Sequence, residues 1–582
     1  MSVRLHSLPR ALALAVLALA SCGGRSSPIG ERRDIPPQRG GTFRVASFTD
    51  VRNLDPAIAF DEASKAVSEL IFHRLVEYDH HSRIVPVLAE SFDVSSDGKR
   101  YTFKLREGVR FHDGDELTAD DVKRSIERTL DASSPCPAPT FYSSIAGFDA
   151  FHNGAKDAQG KVIVAPHLDG VVVDGRYALH IDLSRRDATF LPVMTLDFVA
   201  PICKSAGFKY AREWGNHACG TGPFRLDYWQ SSREISLVRH EGYFRPGLPY
   251  LDRVQWFLLM PALTQRFKFE EGDLDHLRDL RVPDLIHYRN DPRWKPLGQW
   301  EPAKTTTGVF FNTQMAPFDN VELRRAFAAA VNWQEVASTK PEQAQTTPEM
   351  VPPAIAGHDP SFPGQKYDPE AALEHMRRAG FPYDPVTRKG GLPGTVRWLG
   401  IPQSFAGESM APIVQQQVAR IGIKMEINLV SWPSFLAMTG KRNAAQLGYG
   451  GWAMDFPDPS DFFEPILSTE AIQDEETQNA AFFSNPELDR TLKEAHSELD
   501  APRRAALYRR CEEIVRDQAP WAIGVGYRYY EIVHPYVHNY VVDGAHTIDL
   551  REVWLDLAER KQALGARFHG DRLALIRPWG KR

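Results

Sequence analysis

Strand-like alternation fills residues 161–260, whereas in the second half of the chain helical and strand-like segments take turns, and this change of grammar limits the fold more than any other feature. "VVVDGRYALHIDL", 171–183, reads as a hairpin turning at Asp174-Gly175. Helices are predicted over 320–332, 369–379 and 408–421, and again within 485–518, where Pro502 marks a helix start. "GIKMEINLVSW", 422–432, alternates as a strand directly after the helix 408–421. Strands clustered in one half beside strand–helix alternation in the other argue for a mixed, β-rich lobe next to an α/β lobe. With 582 residues the chain can hold several cores, or one large fold with interrupted domains.

The clearest local grammar is "YTFKLREGVRFHDGDELTADDVKRSIERTL", 101–130. Tyr101, Phe103 and Leu105 alternate as a strand, Asp113-Gly114 makes a turn, and Thr118 stands where a helix cap belongs. Asp120 and Asp121 fall in the first helical turn, where the macrodipole favours anions, ahead of Val122, Ile126 and Leu130. Turn and capping chemistry accounts for the carboxylates Asp113, Asp115, Glu116, Asp120 and Asp121 without a metal or an acid/base pair. "GGTFRVASFTDVRNLDP", 40–56, reads as a strand ended by Pro56.

No catalytic constellation emerges. H-E-x-x-H and G-x-S-x-G are absent. "GAKDAQGKV", 154–162, imitates a phosphate-binding loop but carries Val162 where Ser or Thr should ligate Mg²⁺, and "GTGPFR", 220–225, lacks the third glycine of a dinucleotide fingerprint. No C-x-x-C occurs, so no metal, cofactor or catalytic residue is assigned. A net charge of −6 gives no basic stripe for phosphates, and nucleic acid is not expected as a partner.

The N-terminus, "MSVRLHSLPRALALAVLALASCGG", sets Arg4 and Arg10 before ten apolar residues, 11–20, too few to span a bilayer as a mature helix. It reads as an export signal, 1–21, and Leu19-Ala20-Ser21-Cys22 resembles a bacterial lipobox, which implies that Cys22 becomes the acylated first residue. A Gly/Ser/Pro/Arg-rich linker, 22–39, follows. In an oxidising compartment Cys203 and Cys219 are candidates to close a loop, although four cysteines (with Cys136 and Cys511) allow three pairings.

Four segments together resemble the large extracytoplasmic solute-binding proteins of the peptide, nickel and oligosaccharide class, bacterial solute-binding protein family 5, that feed ABC importers. They are "VPVLAESFDVSSDGKRYTFKLREGVRFHDGDELTADDVKRSIER", 85–128; "GTGPFRL", 220–226; "FFNTQMAPFDNVELRRAFAAAVN", 310–332; and "RAALYRRCEEIVRDQAPW", 504–521. The resemblance implies an α/β, two-lobed periplasmic-binding-protein-like fold with an extra inserted subdomain and the ligand enclosed between lobes. It implies a first-lobe core from 40–76, 200–305 and 523–555, an inserted subdomain at 77–199, a second lobe at 306–522 and a basic C-terminal tail at 556–582. Gly308, Gly524 and Gly526 would be hinge residues of closure.

The same resemblance bears on "GWAMDFPDPSDFF", 451–463, which by composition alone is a loop. In peptide-binding relatives a W-x-x-D core lies here and its Asp receives the ligand's α-ammonium group; the matching residues are Trp452 and Asp455. Trp432 and Tyr449 are candidate walls of the same ligand site, with core packing the competing role. Dipeptide binders place an Arg for the ligand carboxylate in the stretch corresponding to "LGIPQSFAGES", 399–409, and its absence points away from strict dipeptide specificity. The expected role is non-enzymatic: a monomeric, lipid-anchored receptor in the bacterial envelope that passes oligopeptides to an ABC permease and ATPase complex. Nickel complexes, oligosaccharides, or an exported enzyme or adaptor role remain the alternatives. The basic tail is read as solvated or as a contact for a membrane surface or partner.

Overall fold

The computed structural model describes residues 35–156, 161–206, 217–278, 280–402, 404–542 and 548–568. The export signal, Cys22, most of the linker and the last part of the tail, 569–582, lie outside the described residues. No helix among the described residues is long and apolar enough to cross a membrane.

The first lobe is built on a four-stranded sheet in the order Thr42–Ala46, Arg253–Phe257, Glu234–Arg239, Phe224–Gln230, parallel at its first pair and antiparallel thereafter. Beside it Tyr530–Val533 pairs with both His276–Leu277 and Gly298–Trp300. The inserted part has its own antiparallel sheet, Ala89–Val94, Arg100–Leu105, Ala178–Asp182, Val171–Gly175, covered by the helix Ala119–Leu130. Val122, Ile126 and Leu130 are fully buried against it, and Thr118 and Asp121 form the capping box expected at the helix start. The hairpin turns at Arg176-Tyr177 rather than at Asp174-Gly175, where the register shifts instead. Both turn residues are held by Glu116, to which Arg176 and the Tyr177 hydroxyl donate.

The second lobe carries a mixed six-stranded sheet in the order Ala344–Thr346, Trp521–Tyr527, Thr305–Phe311, Leu447–Ala453, Val396–Gly400, Met425–Leu429. Strand periodicity divides its central residues between two cores: Val309, Phe311, Ala522 and Val525 face one layer, Phe310, Trp521 and Ile523 the other. The predicted helices are present as Val321–Ala330, Pro369–Arg378, Ala411–Ala419, Pro486–Ser497 and Ala501–Gln518. A π-turn, Ala406–Met410, precedes the third.

The chain passes between lobes twice, at 301–304 and at 528–529, and the two passages run side by side. Their flanking strands pair antiparallel on the first-lobe side, Gly298–Trp300 with Tyr530–Val533, and on the second-lobe side, Thr305–Phe311 with Trp521–Tyr527. Between them the Glu301 N–H donates to the Tyr529 carbonyl at 2.9 Å, and the Tyr527 N–H to Thr305 Oγ1 at 2.8 Å. The second lobe is expected to end at 522, and its strand Trp521–Tyr527 runs past that residue. The glycines expected as hinge residues are placed close to these passages. Gly308, Gly524 and Gly526 lie inside paired strands, and none has a left-handed φ. At Gly524 the constraint is space, since a Cβ would come within 2.6 Å of the Trp333 ring.

Cys203 and Cys219 are joined by a disulfide, with Cα atoms 5.5 Å apart, while Cys136 and Cys511 are free and buried. The basic tail, 556–582, begins with a helix, Leu557–Phe568. Its Arg560 is buried, donates to the Thr42 carbonyl at 2.9 Å and pairs with Asp275 at 3.1 Å.

Candidate functional site

A cavity of about 620 Å³ lies between the lobes, and Asp455, Trp452, Trp432 and Tyr449 all line it. Tyr449 and Trp452 sit on the strand Leu447–Ala453, opposite Val309 and Thr306 of the neighbouring strand. Trp432 opens the helix Trp432–Thr439, capped by Ser431, and its ring stacks on Phe435 at 5.7 Å. Its indole N–H points across the cleft to Asp61 Oδ1, 3.4 Å away, the capping carboxylate of the first-lobe helix Glu62–Ile71.

"GWAMDFPDPSDFF" finishes this strand and then forms a loop whose three carboxylates have separate tasks. Asp458 caps the short turn Pro459–Phe462 and takes both guanidinium branches of Arg504, at 2.6 and 2.8 Å. Burial raises the Asp458 carboxyl, but Arg504 more than offsets this and holds it below the usual range. Asp461 is buried and accepts the Asp455 N–H at 2.8 Å. Burial, reinforced by the neighbouring Asp455 carboxylate, pushes the Asp461 carboxyl well above its usual range. Asp455 faces the cleft, where Lys65 Nζ of the first lobe lies 3.4 Å from its Oδ1. Between the two carboxylates Phe456 crosses into the core of the inserted part and meets Phe141 edge-on at 5.6 Å.

Three cavity groups carry no sequence signal of their own: Arg52, Lys65 and Arg278. Arg52 reaches Glu476 of the second lobe at 2.5 Å. Arg278 stacks on the Tyr529 ring at 3.7 Å and pairs with Glu62 at 2.5 Å and Glu301 at 2.6 Å, which places a partly buried ionic network directly beside the chain passages. Burial pushes Glu301 up to about 7 against the pull of Arg278. Lys65 lies four residues from both Asp61 and Glu69, so in sequence it reads as one more helix-surface charge.

The chemistry on offer is recognition. Aromatic faces, paired charges and open backbone edges can enclose a solute of several residues' size. For metals, Cys203 and Cys219 lie near Asp113, but their sulfurs are bonded to each other. His538, Asp556 and Glu559 bring ligand atoms within 4.8 Å of one another, yet Asp556 Oδ1 already accepts the Ala558 and Glu559 N–H groups.

Residues 83–474 match the family model described as bacterial extracellular solute-binding proteins, family 5 middle. The chain is 31% identical to heme-binding protein A of Haemophilus influenzae over 540 residues, covering 88% of this chain and 92% of that protein. It is 27% identical to the glutathione-binding protein GsiB of Escherichia coli, over 82% and 87% of the two chains. In fold it resembles the periplasmic binding protein DppA of Helicobacter pylori in complex with the peptide STSA, with TM-score 0.77 and 24% identity over 89% and 99% of the chains. With the two-lobed fold and its central cavity, these matches make the chain a member of the family 5 extracytoplasmic solute-binding proteins, the substrate-binding components of ABC importers.

Proposed function

We propose that this receptor captures oligopeptides or peptide-like solutes between its lobes, is held to the membrane by acylated Cys22, and hands the closed form to a permease. The observation that carries the solute class is the interlobe cavity of about 620 Å³, walled by Trp432, Tyr449 and Trp452, with Asp455 at its side. A cavity of that volume suits a few residues of extended chain. A relative named for glutathione, a tripeptide, and a fold neighbour in complex with the peptide STSA support a solute of this kind. The lobes would close by turning about the paired passages 301–304 and 528–529, and a ligand drives closure only as far as it prefers the closed state.

Native mass spectrometry of protein purified without denaturation tests the reading. A spread of adducts with peptide masses is expected, and a single non-peptide adduct would overturn it. Labelling cells with radioactive palmitate tests the anchor: the chain should take up label, and Cys22→Ser should not.

A further inference from the structure

The group that Asp455 would offer to a peptide's α-ammonium is already engaged by an ammonium of the same chain. Lys65 Nζ stands 3.4 Å from Asp455 Oδ1 and 3.4 Å from the Asp455 carbonyl, and both side chains are largely withdrawn from solvent. A lysine ammonium and a peptide's terminal ammonium are chemically alike, so the two compete for one carboxylate. Burial alone would lower the Lys65 pKa, but the carboxylates of Asp455 and Glu69 outweigh it, and the side chain stays charged.

The other cavity carboxylates are similarly engaged. Glu476 is taken by Arg52 and Glu62 by Arg278. Asp61 accepts its own helix's Ser64 N–H and the Trp432 indole. Glu408, on the π-turn Ala406–Met410, is the exposed exception. Each of the pairs Lys65–Asp455, Arg52–Glu476 and Trp432–Asp61 also joins one lobe to the other. The contact that a ligand amine would make to draw the lobes together is therefore made by the protein itself.

We infer that Lys65 acts as a tethered stand-in for the ligand's amino terminus, so that the receptor selects peptide-like solutes whose α-amino group is blocked or absent. This rests on the peptide reading above. A free α-ammonium entering the site would have to expel Lys65 or lie beside it as a like charge, and either is unfavourable. A blocked terminus meets no such opposition.

The test is competition between two randomised pools of tri- to pentapeptides of identical composition, one free and one N-acetylated, offered together to the full chain and read by mass spectrometry of the retained species. Wild type should retain the acetylated pool about tenfold better, a difference worth roughly one charge-assisted hydrogen bond. Lys65→Met keeps the aliphatic stem, removes the charge and should invert the preference; Lys65→Ala provides a second check. Equal retention of both pools by wild type, unchanged in the variants, would overturn the inference while leaving the peptide reading intact. A wild-type preference for free amines that disappears in Glu408→Gln would overturn it by moving the ammonium site to Glu408. Retention of neither pool by any of these proteins would overturn the peptide reading, and this inference with it.

Discussion

Gly308 occupies a place with no room for a methyl group: a Cβ there would lie 2.1 Å from the Ala522 carbonyl oxygen of the adjoining strand. Gly308→Ala should therefore destabilise the second lobe by about 2–3 kcal/mol, an overpacking penalty seen as a lower urea midpoint. Asp458→Ala should cost a similar ~3 kcal/mol, because it leaves the Arg504 guanidinium half-buried without its bidentate partner. At this scale the stretch 451–463 alone reads as a turn, and Asp455, singled out only through the W-x-x-D resemblance, lines the cavity. Lys65 was not legible, for its partner is 390 residues away and the two meet only once both lobes have folded. Glycine in a strand signals either freedom of φ or the close approach of another group, and for Gly308 and Gly524 the packing of Ala522 and Trp333 shows the close approach.

Among elements, the helix Pro486–Ser497 makes a contact with the inserted part that its sequence does not announce. The carbonyl of His496 accepts the Ala188 N–H at 2.8 Å, and the His496 ring pairs with Glu464 and lies 3.9 Å from Asp187. Burial opposes the charge on this ring, but Glu464 and Asp187 prevail and raise it to about 9. A histidine raised in the folded state stabilises fully below its unfolded value, about 6.5, and loses that contribution as pH rises through about 9. His496→Gln should thus be less stable than wild type at pH 7, and the gap should close by pH 10 in urea titrations. The helix itself was legible because Asn485 and Pro486 state its beginning, just as Asp368 with Pro369 and Asp500 with Pro502 do elsewhere. The Asp174-Gly175 hairpin was misplaced by two residues because an Asp-Gly pair serves a register shift as well as a turn, and the distant Glu116 selects between them.

For the whole molecule, two lobes with an inserted subdomain were legible from the change of pattern and from the resemblance, whereas the passage after Tyr527 was not, since Trp521–Tyr527 has the same apolar texture on both sides of residue 522. Arg52–Glu476, partly exposed, and Trp432–Asp61, long at 3.4 Å, each contribute about 1 kcal/mol or less to holding the lobes together. Removing both in Arg52→Ala/Trp432→Phe should shift the ligand-free receptor toward open forms by up to about thirtyfold in population, seen as a larger radius of gyration in small-angle scattering. The two passages between lobes are adjacent threads of one ribbon, bonded to each other at Glu301–Tyr529 and Thr305–Tyr527. On the proposed closure, they would act like two knuckles on a single pin. Closure about that axis would be followed by one distance, so a single pair of labels, one on each lobe, should change separation when ligand binds.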